Sequence, residues 1–186
     1  MSNPSKIGIV VGSLRKDSIT RRVAQAMAKL SPGGAIWRFV EIGALPIYNP
    51  DLDEAGVPAW TAFRDEVKAL DGVLFATPEY NRSMPGALKN AIDVGSRPYG
   101  KSAWSGKPAG IVSVSPGALG AFGANHHLRQ SLVFLNMPAM AQPEAYVGNS
   151  GNILGADGDF VEASRGFFKA YVEAFEAWVK RHAPVG

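Results

Sequence analysis

Residues 76–93 read ATPEYNRSMPGALKNAID, and this stretch indicates how the chain folds. It completes an apolar run, residues 72–76, whose length and β-branched and aromatic side chains are typical of a strand covered on both faces, as in a parallel sheet. Pro78 lacks an N–H for the sheet and ends the strand, whereas Pro85 is expected to be the first residue of a helix, with Ser83 as its cap. The turn between the two prolines is therefore expected at the carboxyl end of a parallel strand, where open α/β sheets bind ligands.

A second strand, loop and helix stand near the N-terminus. Residues 6–11 are aliphatic and short, and residues 21–30 place apolar side chains at helical spacing. The loop between them has neither the Gly-Lys-Ser/Thr of a P-loop nor the three glycines of a dinucleotide fingerprint. Hydroxyls, a guanidinium and the free N–H groups of a helix N-terminus suit a phosphate monoester, and the loop supplies Ser13, Arg15, Ser18 and Thr20. The alternative is that Ser18 or Thr20 only caps the helix and that Arg15 is solvated.

A third loop of this kind follows the predicted strand at residues 108–114. Residues 115–123 read SPGALGAFG, and glycines allow a backbone to approach a flat ligand, although a flexible turn has the same composition. The next helix carries His126 and His127, which point about 100° apart on a helix and are therefore a poor pair of metal ligands. We interpret them as surface or interface groups and predict no metal site.

The remaining segments continue the alternation of strands and helices. A strand at residues 36–40, a helix at 58–69 and a strand at 137–140 that continues loosely toward 146–147 precede a long closing helix. An aromatic stripe between residues 160 and 179 marks the core face of that helix, and its members are Phe160, Phe167, Phe168, Tyr171, Val172, Phe175, Trp178 and Val179. Five strands alternating with five helices predict a flavodoxin-like α/β three-layer sandwich, with a parallel sheet in the order 2-1-3-4-5, as a single domain over residues 1–186.

Composition narrows the classes of function. The 186 residues include no cysteine, which excludes thiol chemistry and cysteine-ligated metals. The formal net charge is +3 and the basic residues are scattered, which favours an anionic small molecule over nucleic acid as a partner. The N-terminus lacks the pattern of a signal peptide and no apolar run approaches membrane-spanning length, so we expect a cytoplasmic protein without a membrane partner.

The predicted strand order explains what the three loops have in common. It places the carboxyl ends of strands one, three and four side by side, so that their loops converge on one ligand. The first loop is expected to hold the phosphate of this ligand. The second loop is expected to lie along its planar head group, and the third on the far side of that head group. A phosphate monoester joined to a planar heterocycle describes FMN.

The same segments resemble a known family. Gly12-Ser13-Leu14-Arg15, the turn Pro78-Glu79-Tyr80-Asn81 with its following helix, and Ser115-Pro116-Gly117 are similar to the NADPH-dependent FMN reductase family, close to its chromate and quinone reductase branch. The resemblance implies that the FMN phosphate is held by Ser13, Arg15, Ser18 and Thr20, and the isoalloxazine by Pro78, Glu79, Tyr80, Asn81, Ser83, Ser115 and Gly117. Thr20 stands where asparagine is frequent in the family, and Arg82 is a variable position.

This resemblance implies a ping-pong reaction in which NADPH or NADH reduces FMN and an acceptor then reoxidises it. Quinones, chromate, azo compounds and free flavin are the small-molecule acceptors to be expected, and self-association as a homodimer or homotetramer is implied as well. We also hypothesise that Arg82 binds the anionic part of NADPH or of an anionic acceptor. Two other classes stay open, namely a flavodoxin-type electron carrier and a flavin-free binding module on the same scaffold.

Overall fold

The computed structural model describes residues 3–183, and a five-stranded parallel sheet lies at its centre. The strand order is β2-β1-β3-β4-β5, which confirms the predicted order, and every neighbouring pair is parallel. The strands are β1 (Ser5–Val11), β2 (Ala35–Val40), β3 (Gly72–Thr77), β4 (Ala109–Val114) and β5 (Ala145–Val147).

Helices cover both faces of the sheet and give the predicted three layers. They are α1 (Ile19–Lys29), α2 (Pro58–Lys68), α3 (Gly86–Gly95), α4 (Phe122–Phe134) and α5 (Glu162–His182). One core contains Phe75 of β3 together with α2, α3 and α4, and the other contains Leu74 of β3 together with α1 and α5. Because adjacent residues of a strand point to opposite faces, the continuous apolar sequence of β3 fills both cores. Within residues 3–183, no helix is both long enough and apolar enough to cross a bilayer.

Two predicted element boundaries are wrong. Pro85 is the cap residue before α3 rather than its first residue, with an extended ψ of 148°, and no side chain caps this helix. The fifth strand lies at residues 145–147, so its predicted start at 137–140 is wrong and only the predicted continuation toward 146–147 is part of the strand. The earlier segment makes only one bridge, in which Ala109 N donates to Pro138 O and Met140 N donates to Ala109 O. Pro138 has no N–H to extend that pairing toward the start of β4, and regular pairing begins only at residues 145–147, beside the end of β4.

The aromatic stripe of the closing helix is buried for most of its length. Tyr171, Val172, Phe175 and Val179 are at most 1% exposed, as predicted for a core face. Phe160 is buried but precedes α5, and Phe167 is 46% exposed, so including Phe167 in the core was wrong. Its immediate neighbour Phe168 takes the buried position, since adjacent helical residues point about 100° apart.

Packing against α3 allows a stability test with a matched control. A Cβ at Gly95 would lie 2.5 Å from Cε2 of Trp104, a fully buried ring, whereas a Cβ at Gly86 of the same helix has nothing within 4 Å. We expect Gly95→Ala to lower the free energy of unfolding by about 2 kcal/mol through overpacking. Gly86→Ala should leave it equal or raise it by about 0.5 kcal/mol. Urea denaturation measures both, and equal midpoints for the two variants would contradict the tight contact with Trp104.

Candidate active site

The three predicted loops meet at the carboxyl edge of the sheet. They connect β1 to α1, β3 to α3 and β4 to α4, and these three strands are neighbours. A groove of about 170 Å³ lies between the loops, and its lining residues are Ser13, Arg15, Ser18, Ile19, Thr20, Pro78, Glu79, Tyr80, Val114, Ser115 and Pro116. The predicted site residues do not include Ile19, Val114 or Pro116. Each of them is next in sequence to a predicted site residue, and this adjacency is the only sequence signal that indicates them.

The first loop presents donors from the N-terminus of α1. Ser18 is the N-cap, and its Oγ accepts a hydrogen bond from Arg21 N at 3.1 Å, so the capping alternative holds for this residue. The first bond of the helical type runs from Arg22 N to Ser18 O, which leaves the N–H groups of Ile19 and Thr20 outside the helical pattern. The Ser18 hydroxyl can still donate its proton. Ser13 and Arg15 complete a set of donors suited to an anion.

The second loop is a tight turn with two left-handed residues at its corners. Asn81 and Arg82 have φ angles of 51° and 64°. Tyr80 and Ser83 exchange two backbone hydrogen bonds of 2.9 Å, one in each direction, and so close the turn. Asparagine tolerates this conformation, whereas for arginine it costs about 1 kcal/mol or more. The turn holds Pro78 and Tyr80 at the groove, with Tyr80 52% exposed at its rim.

The third loop is pinned by the chain that follows β5. Gly117 O accepts hydrogen bonds from Asn149 N at 3.2 Å and from Ser115 Oγ at 3.0 Å. Gly120 has a φ of 59°, and a Cβ there would lie 2.6 Å from the carbonyl carbon of Tyr146. A glycine is therefore required at this close approach, and the loop is fixed rather than freely flexible.

Some predicted site residues lie outside the groove lining. Asn81, Ser83 and Gly117 are not among the residues that line it. The Ser83 hydroxyl is instead 2.6 Å from Nδ1 of His127 on α4. Arg82, the candidate for binding an anionic substrate, has a side chain that is 73% exposed, and its Nη1 lies 3.3 Å from Oε1 of Glu79.

The two adjacent histidines are exposed and have different partners. His126 Nε2 is 3.0 Å from the hydroxyl of Tyr146, which in turn donates to Glu144 at 2.6 Å. Burial and the hydrogen bond to Glu144 raise the pKa of Tyr146 to about 12, so this phenol stays protonated at neutral pH. Over residues 3–183, no group of three or more His, Asp or Glu side chains is arranged to hold a metal ion.

A wider depression of about 950 Å³ lies at the opposite edge, where β1 and β2 begin. Its walls include Lys6, Asp71 and Glu176, but Asp71 accepts a hydrogen bond from Lys6 N, and Glu176 accepts bonds from Ser31 and Trp37. These polar groups already bind one another within the protein. The smaller groove, which presents the Arg15 guanidinium and the first N–H groups of α1, is the better candidate site.

The chemistry of the groove fits FMN. Hydroxyls, the Arg15 guanidinium and the first N–H groups of α1 stand at one end and match the oxygens of a phosphate monoester. Pro78, Tyr80 and Pro116 give apolar, flat surfaces beyond them, as a planar ring requires. This donor set and these walls belong to one continuous groove.

Comparison with known proteins agrees with this chemistry. The family model for NADPH-dependent FMN reductase matches residues 5–152. A quinone reductase of Pseudomonas putida is 55% identical over 186 residues, which is 100% of both chains. A 2-hydroxy-1,4-benzoquinone reductase of a Burkholderia species is 43% identical over 176 residues, covering 94% of this chain and 96% of the relative.

Among solved structures, FerB, a flavoenzyme NAD(P)H:(acceptor) oxidoreductase from Paracoccus denitrificans, is 38% identical, with a TM-score of 0.92. The match covers 97% of this chain and 100% of that one. The flavodoxin-like fold and the predicted family are thereby confirmed. The chain belongs to the NADPH-dependent FMN reductase family of oxidoreductases, with FMN as the cofactor and NAD(P)H as the co-substrate.

Proposed function

We propose that this protein is an FMN-dependent NAD(P)H:quinone oxidoreductase that works by a ping-pong mechanism. The observation that carries the proposal is a groove formed by three separate loops. It brings together hydrogen-bond donors suited to a phosphate and flat apolar walls. Similarity over the full length to a protein named quinone reductase supports a quinone as the acceptor. When bound, FMN supplies the redox chemistry, taking a hydride from NAD(P)H and passing electrons to the acceptor.

The residues of the chain bind and orient this cofactor. Ser13, Arg15, Ser18 and Thr20 hold the phosphate, assisted by the N–H groups at the start of α1. The second loop would hold the isoalloxazine through the segment from Pro78 to Ser83, and the third loop would hold it through Ser115 and Gly117. Because the cofactor carries the chemistry, the site needs no protein nucleophile or metal.

An open rim is what a ping-pong reaction needs. Tyr80 and Pro116 line the groove and are both exposed, so that a nicotinamide and then an acceptor can reach the same place in turn. Chromate, azo compounds and free flavin are further candidate acceptors for the same reason. Arg82 extends from the second loop with a side chain that is 73% exposed, and we assign it to the anionic part of NADPH or of an anionic acceptor. The cytoplasmic location stays a prediction.

We also propose that the chain forms a homodimer or homotetramer through α4. Phe122, Val133 and Phe134 are 51%, 80% and 77% exposed and lie within about 120° of one another around the helix. Large apolar side chains grouped on one helix face are typical of an interface between subunits.

Light scattering on the purified protein tests this assembly. The double variant Val133→Lys and Phe134→Lys should be a monomer, because it would bury two charges in the contact. Ile36→Lys is the control, since Ile36 is 52% exposed on β2, away from α4. A parent protein that is monomeric at micromolar concentration would contradict the assembly.

The oxidoreductase activity is tested by absorption spectroscopy. The purified protein should show a flavin spectrum, as isolated or after addition of FMN, that bleaches with anaerobic NADPH and returns with a quinone. A protein that stays colourless after addition of FMN would be a flavin-free binding module. One that binds FMN but does not bleach with NADPH or NADH would be an electron carrier.

Arg15 provides a test of the phosphate end of the groove. Its guanidinium makes a charge-assisted contact in this proposal, so Arg15→Ala should lose about 1.5 to 3 kcal/mol of FMN affinity, a rise in Kd of about ten- to a hundredfold. Lys16→Ala is the matched control. It also removes one positive charge, at the position next to Arg15, but the Lys16 side chain does not line the groove. Quenching of FMN fluorescence measures both values. Equal affinities in the two variants would contradict the role of Arg15.

A further inference from the structure

We propose that the Glu79 side chain is a positioning group that caps helix α4 from the neighbouring loop and does not itself bind the flavin. Its oxygen atoms fix the β4–α4 loop against the turn formed by Asn81 and Arg82. The role rests on the proposed function, because the two loops joined in this way are those assigned to the isoalloxazine. The main chain of Glu79 remains available to the ligand.

Helix α4 begins without a cap of its own. The residue before its first turn is Ala121, with a φ of 58°, which has no side-chain acceptor, and the first turn contains no acidic residue. Helix N-termini leave backbone N–H groups without partners, and an N-cap side chain normally accepts from the second or third of them. In α4 this third position is Ala124. The Ala124 N–H donates instead to Oε2 of Glu79 at 3.1 Å, and Glu79 lies 45 positions earlier in the chain.

The approach of α4 to the second loop is close enough to require a glycine. A Cβ at Gly123 would lie 2.9 Å from Glu79 Oε2 and 2.9 Å from the carbonyl oxygen of Arg82. The negative carboxylate also suits the positive end of the helix dipole. One turn further along α4, the contact between Ser83 and His127 adds a second connection between the same two segments.

Both carboxylate oxygens of Glu79 are engaged within the protein. Oε2 accepts from Ala124 N, and Oε1 lies 3.3 Å from Nη1 of Arg82. The Glu79 side chain is only 15% exposed, whereas that of Arg82 is 73% exposed. The left-handed conformation of Arg82, unfavourable for arginine, places its guanidinium beside this carboxylate. Each oxygen of the Glu79 carboxylate therefore has a partner within the protein, and the Arg82 guanidinium neutralises its charge.

The cap has a consequence for the cofactor groove. The third loop, residues 115–121, runs directly into α4, so the start of the helix fixes one end of this loop, while the chain after β5 holds Ser115 and Gly117 at the other. Pro78 and Tyr80 flank Glu79 in the second loop. The Glu79 carboxylate thus joins the helix end of the third loop to the second loop, and these loops form two of the walls between which the planar ring is proposed to bind.

Three variants test this role: Glu79→Ala, Glu79→Gln and, as control, Asp93→Ala. Gln keeps a carbonyl oxygen for Ala124 N but loses the charge, and Asp93 makes an exposed ion pair with Lys89 on α3. Three properties are measured in each purified protein: amide hydrogen exchange over residues 122–126, the FMN dissociation constant and the midpoint potential of bound FMN.

Glu79→Ala should exchange its Ala124 amide about five- to tenfold faster, as loss of a cap predicts. Its FMN dissociation constant should rise by a similar factor, since both effects have the same cause. Glu79→Gln should restore most of both properties and leave the flavin potential unchanged, because both carboxylate oxygens bind groups of the protein and not the ring. Asp93→Ala should match the parent protein in all three measurements.

Several results would overturn the role. Weaker FMN binding in Glu79→Ala with unchanged exchange in α4 would make Glu79 a direct ligand, as would a shifted potential in Glu79→Gln. Faster exchange with unchanged FMN affinity would leave a cap that does not position the site. If the parent protein itself does not bind FMN, the proposed function fails and the positioning role with it, while the exchange rates still decide whether Glu79 caps α4.

Discussion

The pairing of β3 between β1 and β4 is the constraint on which the rest of the structure depends. Every residue of β3 is buried, because the strand has a neighbour on each side and helices over each face. In a parallel sheet the loops that follow neighbouring strands leave from the same edge. The donors of the first loop and the flat walls of the second and third are thus brought together by a sheet whose own residues take little part in the site. This separation lets the core satisfy packing alone while the loops satisfy the ligand.

The loops are held in place mainly by one another and by the start of α4. Glu79 and Ser83 contact α4, and Gly117 O is bound by the segment that follows β5. Such contacts fix polar backbone without adding apolar area, and they place left-handed residues such as Asn81 and Arg82 where few sequences allow them. A preformed site of this kind loses less conformational entropy when a ligand binds.

The sequence predicts the fold well where a regular pattern repeats. The apolar run of β3, the aliphatic β1 and the buried face of α5 fix the class, the order of the sheet and most of the core. The errors lie at the start of a helix next to a proline and at the edge strand of the sheet. The fifth strand has only three residues at the edge of the sheet, and the earlier segment pairs with β4 at a single bridge. Within the site, the groove-lining residues Ser13 and Arg15 could be predicted from loop composition, and Tyr80 from the resemblance of its turn to the family. The contacts of Glu79 with Ala124 and of Ser83 with His127 join residues more than 40 positions apart and leave no periodic signal.

Helix α4 links the cofactor groove to the surface of the molecule. Its first turn is attached to the second loop, and its outer face presents Phe122, Val133 and Phe134 to the surroundings. Its inner face is anchored by Leu128 and Leu132, which are fully buried against the sheet. Both ends of this 13-residue helix are therefore tied to one packed inner face, and its first turn is capped by a side chain of the second loop. The proposed assembly through α4 and the proposed cofactor groove therefore involve the same element, because the first turn of this helix is bound by Glu79 of the second loop.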